Sequence, residues 1–133
     1  MSVSIPTIDQ VIDINKAVIE NSSDPDDDKS LAGNFNNKSS LNFALNPPFL
    51  YETAFEAAYS IAKAIANDHV FSNGNKRTAT EVVKKICADN GYKFNGDDAA
   101  LAELVNSLVR EDDDDYDREE EKQNFISKIS EFF

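Results

Sequence analysis

In the stretch His69–Ala79, HVFSNGNKRTA, the single histidine of the chain is followed by Asn73-Gly74, then by Asn75 and two adjacent cations, Lys76 and Arg77. A glycine lets the backbone come close to a ligand, and the free N–H groups that open a helix attract negative charge. A helix starting near Asn75 would therefore make an anion site from Gly74 onward. Arg77 offers a planar fork to phosphate oxygens, Lys76 a compact point charge, and Asn75 an amide. His69 lies one short loop upstream, where a neutral imidazole can take a hydroxyl proton as general base. The plainer alternative is a structural histidine on an apolar helix face beside a solvated Lys-Arg pair.

Other chemistries fall away on residue types. One His and one Cys cannot build a His/Cys zinc site. Asp24, Asp26 and Asp28 stand at the first, third and fifth positions of a calcium loop. The sixth, which needs Gly, is Lys29, and the twelfth, which needs Glu, is Phe35. Neither a GxxxxGK[ST] loop nor a GxGxxG turn is present. A Ser-His-Asp arrangement has only Asp68 close to His69 in sequence, and an adjacent residue is badly placed to orient the ring.

Something must carry these residues to one place, and at 133 residues the chain fits one domain, 1–133. No apolar run approaches the roughly 20 residues of a membrane span. The start, MSVSIPTIDQ, lacks a basic and then apolar leader, so the cytoplasm is the expected compartment. The net charge is −12, but 13 of the 25 acidic residues lie in two runs, 24–28 and 111–121. Outside those runs 12 acids face 12 bases, so the body of the domain is near neutral. The runs read as solvated loops, and they disfavour nucleic acid as a partner.

Helical spacing recurs along the chain. Ile8, Val11, Ile12, Asn15, Val18 and Ile19 share a face behind a Thr7/Gln10 pair spaced as a capping box. Residues 22–48, rich in Ser, Asp, Asn and Pro, read as loop with room for a short hairpin. From Tyr51 the pattern runs through Phe55, Ala58, Tyr59, Ala62, Ile65 and Ala66 to His69, which places the histidine at a helix C-terminus. A third helix from about Asn75 buries Ala79, Val82, Val83, Ile86 and Cys87 and is the expected central helix, stopped by Asn90-Gly91. Asp97 or Asp98 caps a fourth carrying Leu101, Leu104, Val105, Leu108 and Val109. Phe125, Ile126, Ile129, Phe132 and Phe133 make a last amphipathic turn or two.

The segment HVFSNGNKRTA resembles the signature of the Fic/Doc superfamily: a helix ending at His, a Phe two residues on, and an acid-Gly-Asn loop opening the next helix. The run Asn75-Lys76-Arg77-Thr78-Ala79 is similar to the Doc (death-on-curing) branch. The adenylylating Fic branch usually has Gly where Lys76 stands and a second Arg where Thr80 stands. The resemblance implies an all-α Fic-fold helical bundle with a small β-hairpin flap. It also implies a toxin of a toxin–antitoxin pair, a kinase that uses ATP to phosphorylate a threonine of elongation factor Tu and so blocks translation. On that resemblance His69 is the base on the target hydroxyl, and Gly74, Asn75, Lys76 and Arg77 hold nucleotide phosphates. Phe71 is a core anchor, and a flap between Asn34 and Asn46 aligns the target as an added strand. The family has Asp or Glu at the position of Asn73, where the carboxylate helps hold Mg²⁺. Asn73 keeps a carbonyl oxygen but loses the charge, which implies weakened metal binding. The other readings are Fic-type adenylylation and a catalytically degenerate Fic-like binding domain.

Overall fold

The computed structural model describes residues 3–25, 28–110 and 116–133. Its elements, in chain order, are α1 (Ile8–Glu20), a single 3-10 turn (Lys29–Leu31), α2 (Lys38–Leu45), α3 (Ala54–Asn67), α4 (Asn75–Asp89), α5 (Asp98–Asn106), α6 (Arg118–Ile129) and a closing 3-10 turn (Ser130–Phe132). The fold is all-α. None of these helices is long and apolar enough to cross a membrane.

Every helix except α4 starts where its sequence supplies a side-chain acceptor for free N–H groups. Thr7 Oγ1 accepts from Gln10 N at 3.2 Å while Gln10 Oε1 accepts from Thr7 N at 2.9 Å, the reciprocal capping box expected there. Thr53 caps α3 through Glu56 N, and Asp97 caps α5 through Ala99 N. The α3 helix therefore begins at Ala54, and Tyr51 stays outside it, buried, with its hydroxyl donating to Ala44 O at 2.6 Å.

The central place belongs to α3 and not, as expected, to α4. From Ala54 to Ala66 every α3 residue except Phe55, Glu56 and Ser60 is buried. Its alanines at 57, 58, 62, 64 and 66 let neighbouring helices come close on all sides, and α4, α2, α6 and α5 all pack on it. The α4 helix is amphipathic instead, burying Thr78, Ala79, Thr80, Val82, Val83, Ile86 and Cys87 beneath a charged outer face.

Further expectations fail in polar segments. Residues 38–45 are helical and not part of a hairpin. Asn37 caps Ser40 N, and Leu41, Ala44 and Leu45 bury at i, i+3, i+4. Burial of that face outweighs the Asn and Ser propensities that suggested a loop. Among the described residues no strand forms, and the expected β-hairpin flap reduces to one antiparallel bridge between Phe35 and Phe71. The last helix also starts earlier than expected, inside the second acidic run. Asp117 accepts from Glu119 N and Glu120 N, and Glu119, Glu120 and Glu121 occupy the first turn, where the helix dipole favours negative charge. Glu121 is buried, so this end of the run is not a solvated loop. Residues 26–27 and 111–115 of the acidic runs lie outside the described residues.

Candidate active site

Beyond Asn67 the chain turns sharply, because the two residues after His69 are apolar and go inward. Val70 and Phe71 are buried, and the Phe71 ring stacks on Phe35 with centroids 5.1 Å apart. His69 between helix and plug is left exposed, past the helix end and not on its face, with φ 51°. A left-handed conformation costs a residue with a Cβ on the order of 1–2 kcal/mol, so surrounding contacts must hold it there. Phe71 is the core anchor the resemblance implies.

The loop from Phe71 to Asn75 is closed by one side chain. Asn75 Oδ1 accepts from Phe71 N at 2.8 Å and its Nδ2 donates to Phe71 O at 2.9 Å, the pattern of a backbone pair. Asn75 therefore shapes the loop, and the second hydrogen of its Nδ2 is the part of the amide left for an anion. Gly74 follows with φ 71°, and a Cβ there would lie 2.6 Å from Ile19 Cδ1, so both conformation and packing on α1 demand glycine. Being glycine, it also leaves the N-terminus of α4 without a side-chain cap. Among the described residues no side chain caps the first turn of α4, where the helix dipole favours an anion.

One residue that the sequence placed on the apolar face of α1 turns out to tie the loop down. Asn15 is fully buried and donates from Nδ2 to Asn73 O and to Thr78 Oγ1, both at 3.0 Å, while its Oδ1 accepts from Gly33 N at 2.8 Å. A polar residue in an apolar stripe was the available signal, since a buried amide must find partners.

These elements surround an open pocket of about 450 Å³ lined by His69, Ser72, Asn73, Gly74, Asn75, Lys76 and Arg77, with Asp24 and Ala66. His69 and the run from Asn73 to Arg77 thus share one cleft, with Lys76 and Arg77 exposed at its edge. Asp24, which the sequence placed in an acidic loop, is the one carboxylate among the described lining residues, and no spacing signal linked it to His69. Asp68 turns the other way. Its Oδ2 accepts from Ser40 Oγ and its Oδ1 from Asn67 Nδ2, so it does not orient the imidazole.

No group of three or more acid, His or Cys side chains among the described residues could hold a metal ion. Asn73 Oδ1, the one oxygen its side chain could offer, accepts from Gly74 N at 2.9 Å. The single thiol is no nucleophile either: Cys87 is buried and its pKa is pushed up to about 12 by that burial.

A family model, described as the Fic/DOC family, matches residues 5–87, from α1 through most of α4 and so across the whole cleft. No curated protein matches the chain.

Proposed function

The chain belongs to the Fic/DOC family, and from that premise we propose that it transfers a phosphoryl group from ATP to a protein hydroxyl in the manner of a Doc toxin. The single observation that supports this is the shared cleft. His69, the uncapped N-terminus of α4, Lys76 and Arg77 line one pocket of about 450 Å³, a volume within the usual range for a small ligand. The open N–H groups, Lys76 and Arg77 take the nucleotide phosphates and offset the charge that spreads over the transferred group. His69 accepts the proton of the target hydroxyl as its oxygen bonds to the γ-phosphorus, and ADP leaves as the bridging bond breaks. Positioning supplies most of the acceleration in such a reaction. Mg²⁺ would arrive with the nucleotide phosphates, since Asn73 brings no charge to hold it.

The target in this reading is a threonine of elongation factor Tu, its modification blocks translation in the cytoplasm, and a cognate antitoxin restrains the enzyme. With ATP labelled on the α- or the γ-phosphate, label on the protein target is expected only from the γ position. Label from the α-phosphate would establish adenylylation, which the side chain of Lys76 disfavours because the adenylylating branch usually has Gly there. A second reading, a Fic-like domain that binds partners without catalysis, draws on Asn73 and its side-chain bond to Gly74 N. No label from either nucleotide would favour it.

A further inference from the structure

His69 has to be held in place without help from its own ring. No hydrogen bond or ion pair to the imidazole occurs among the described residues, and Asp68 faces Ser40. What surrounds His69 is instead a set of bonds to its backbone, all from one short segment. Asn36 Nδ2 donates to His69 O at 3.1 Å, and Asn37 Nδ2 donates to Asp68 O at 3.4 Å. Asn36 N and Asn37 N both donate to Val70 O, at 2.7 and 2.9 Å. Three successive carbonyls, those of residues 68, 69 and 70, thus accept from Asn36 and Asn37. Ser72 N donates back to Asn34 O at 2.9 Å, and the Phe35–Phe71 ring stack lies between these bonds.

We propose that Asn36 is a positioning residue for His69, acting with Asn37 as a clamp that fixes the left-handed backbone at residue 69 and so aims the imidazole into the cleft. Capturing consecutive carbonyls sets the peptide planes on both sides of His69, and those planes determine the direction of its Cα–Cβ bond. Without the clamp the residue relaxes toward negative φ, the ordinary region for a side-chain-bearing residue, and its ring swings away from the phosphates. Asn37 is tied down in turn, since its Oδ1 accepts from Ser39 Oγ and Ser40 N at the start of α2. The stretch that the sequence suggested as a target-aligning flap is in this reading a support for the catalytic base. The proposal rests on the transferase reading for its effect on rate, but its structural half stands apart from it.

The single histidine makes the test clean, because one set of imidazole resonances reports on residue 69 alone. The variants are Asn36→Ala, which deletes the donor, and Asn36→Asp, which keeps the shape but puts an acceptor against the His69 carbonyl. Both are expected to move the His69 Cα and Cβ chemical shifts and its HN–Hα coupling away from left-handed values, with resonances of α4 and α5 unchanged. Both are expected to lower kcat about tenfold while the KM for ATP changes less than about twofold, since the phosphate-binding groups are untouched. His69 shifts that stay put in both variants would overturn the proposal, as would shifts that move with kcat unaltered. A wild-type protein without transferase activity would sink the kinase reading alone, because the His69 shifts still decide whether Asn36 sets its conformation.

Discussion

Two polar regions adjoin α3, one along its side and one beyond its C-terminal end, and they use charge in opposite ways. Along the side of the helix, Lys63 is 3% exposed, with its Nζ 3.0 Å from Glu121 Oε1 and donating to Leu108 O at 2.6 Å. Glu121 also accepts from Tyr59 Oη at 2.7 Å and from Arg110 Nε at 2.8 Å. Burial works against the Glu121 carboxylate, yet the bonds from Tyr59, Arg110 and Lys63 hold its pKa below the ordinary 4.5. Burial, with the hydrogen bond to Glu121 and the charge on that carboxylate, in turn raises the Tyr59 pKa. At the C-terminal end, His69, Lys76 and Arg77 are exposed around an open cleft, and Asn15, Asn36 and Asn75 bond there to the backbone of the loop. A buried ion pair with satisfied hydrogen bonds holds a fold together, whereas exposed cations beside a helix N-terminus without a side-chain cap suit an anion. Polarity alone therefore does not identify a site in this molecule; what distinguishes the two regions is whether the polar groups are buried in the core or exposed around a cleft.

Substitutions on each side of that contrast should separate activity from stability. His69→Ala is expected to lower transfer by at least about 10²-fold, the usual loss for a general base, with the thermal midpoint nearly unchanged because the exposed ring supports nothing. A fully active His69→Ala protein would remove the base from the cleft. Glu121→Ala should do the reverse, costing about 3–5 kcal/mol in denaturant unfolding by stranding Lys63 in the interior, with activity per folded molecule preserved. The same carboxylate gives an acid dependence of definite sign. Its folded pKa is lowered, so its contribution is fully present above about pH 4.5 and is lost as pH falls through the folded value. Glu121→Gln should therefore flatten the stability curve below pH 4.5, and an unchanged acid limb would show that other carboxylates govern it.

Gly74 belongs to both sides, since it packs on α1 and opens the cleft. Gly74→Ala is expected to cost about 1–3 kcal/mol through its positive φ and the clash with Ile19, and to weaken nucleotide binding as well. Unchanged stability would mean that the loop relaxes easily and the contrast is less sharp than drawn. The smallest expected change comes from Asn73→Asp, which adds a charge without altering size. Transfer should rise a few-fold at low Mg²⁺, and the advantage should shrink as the metal saturates, because one carboxylate with substrate phosphates is an ordinary Mg²⁺ arrangement. A flat response would show that position 73 is not a ligand. The comparison needs fresh protein. Gly74 N lies 2.9 Å from Asn73 Oδ1, beside the carbonyl carbon it attacks in deamidation, so intact mass of aged samples is expected to show a fraction heavier by about one unit.

Most of the helices were legible in the sequence because local patterns set them. The Thr7/Gln10 box, the Asn90-Gly91 stop, the Asp97 cap and the apolar spacing of α1, α4 and α5 are read within a few residues, where capping and periodicity act. The cleft was legible for the same reason: His69, Gly74, Lys76 and Arg77 are close in sequence, and a short loop between two helices keeps them close in space. Only the tertiary structure decided what depends on distant partners. Residues 38–45 are helical because Leu41, Ala44 and Leu45 bury on the core. Glu121 left the solvated acidic run because Lys63, Tyr59 and Arg110 meet it from other elements. Asn15 and Asn36 reach the histidine loop from 58 and 33 residues away, and no local rule ties an amide to a backbone carbonyl at that separation. Asn75 shows the limit most plainly. Its type and place suggested a phosphate ligand, and only the fold shows that its amide also bonds the N–H and carbonyl of Phe71 and so closes the loop.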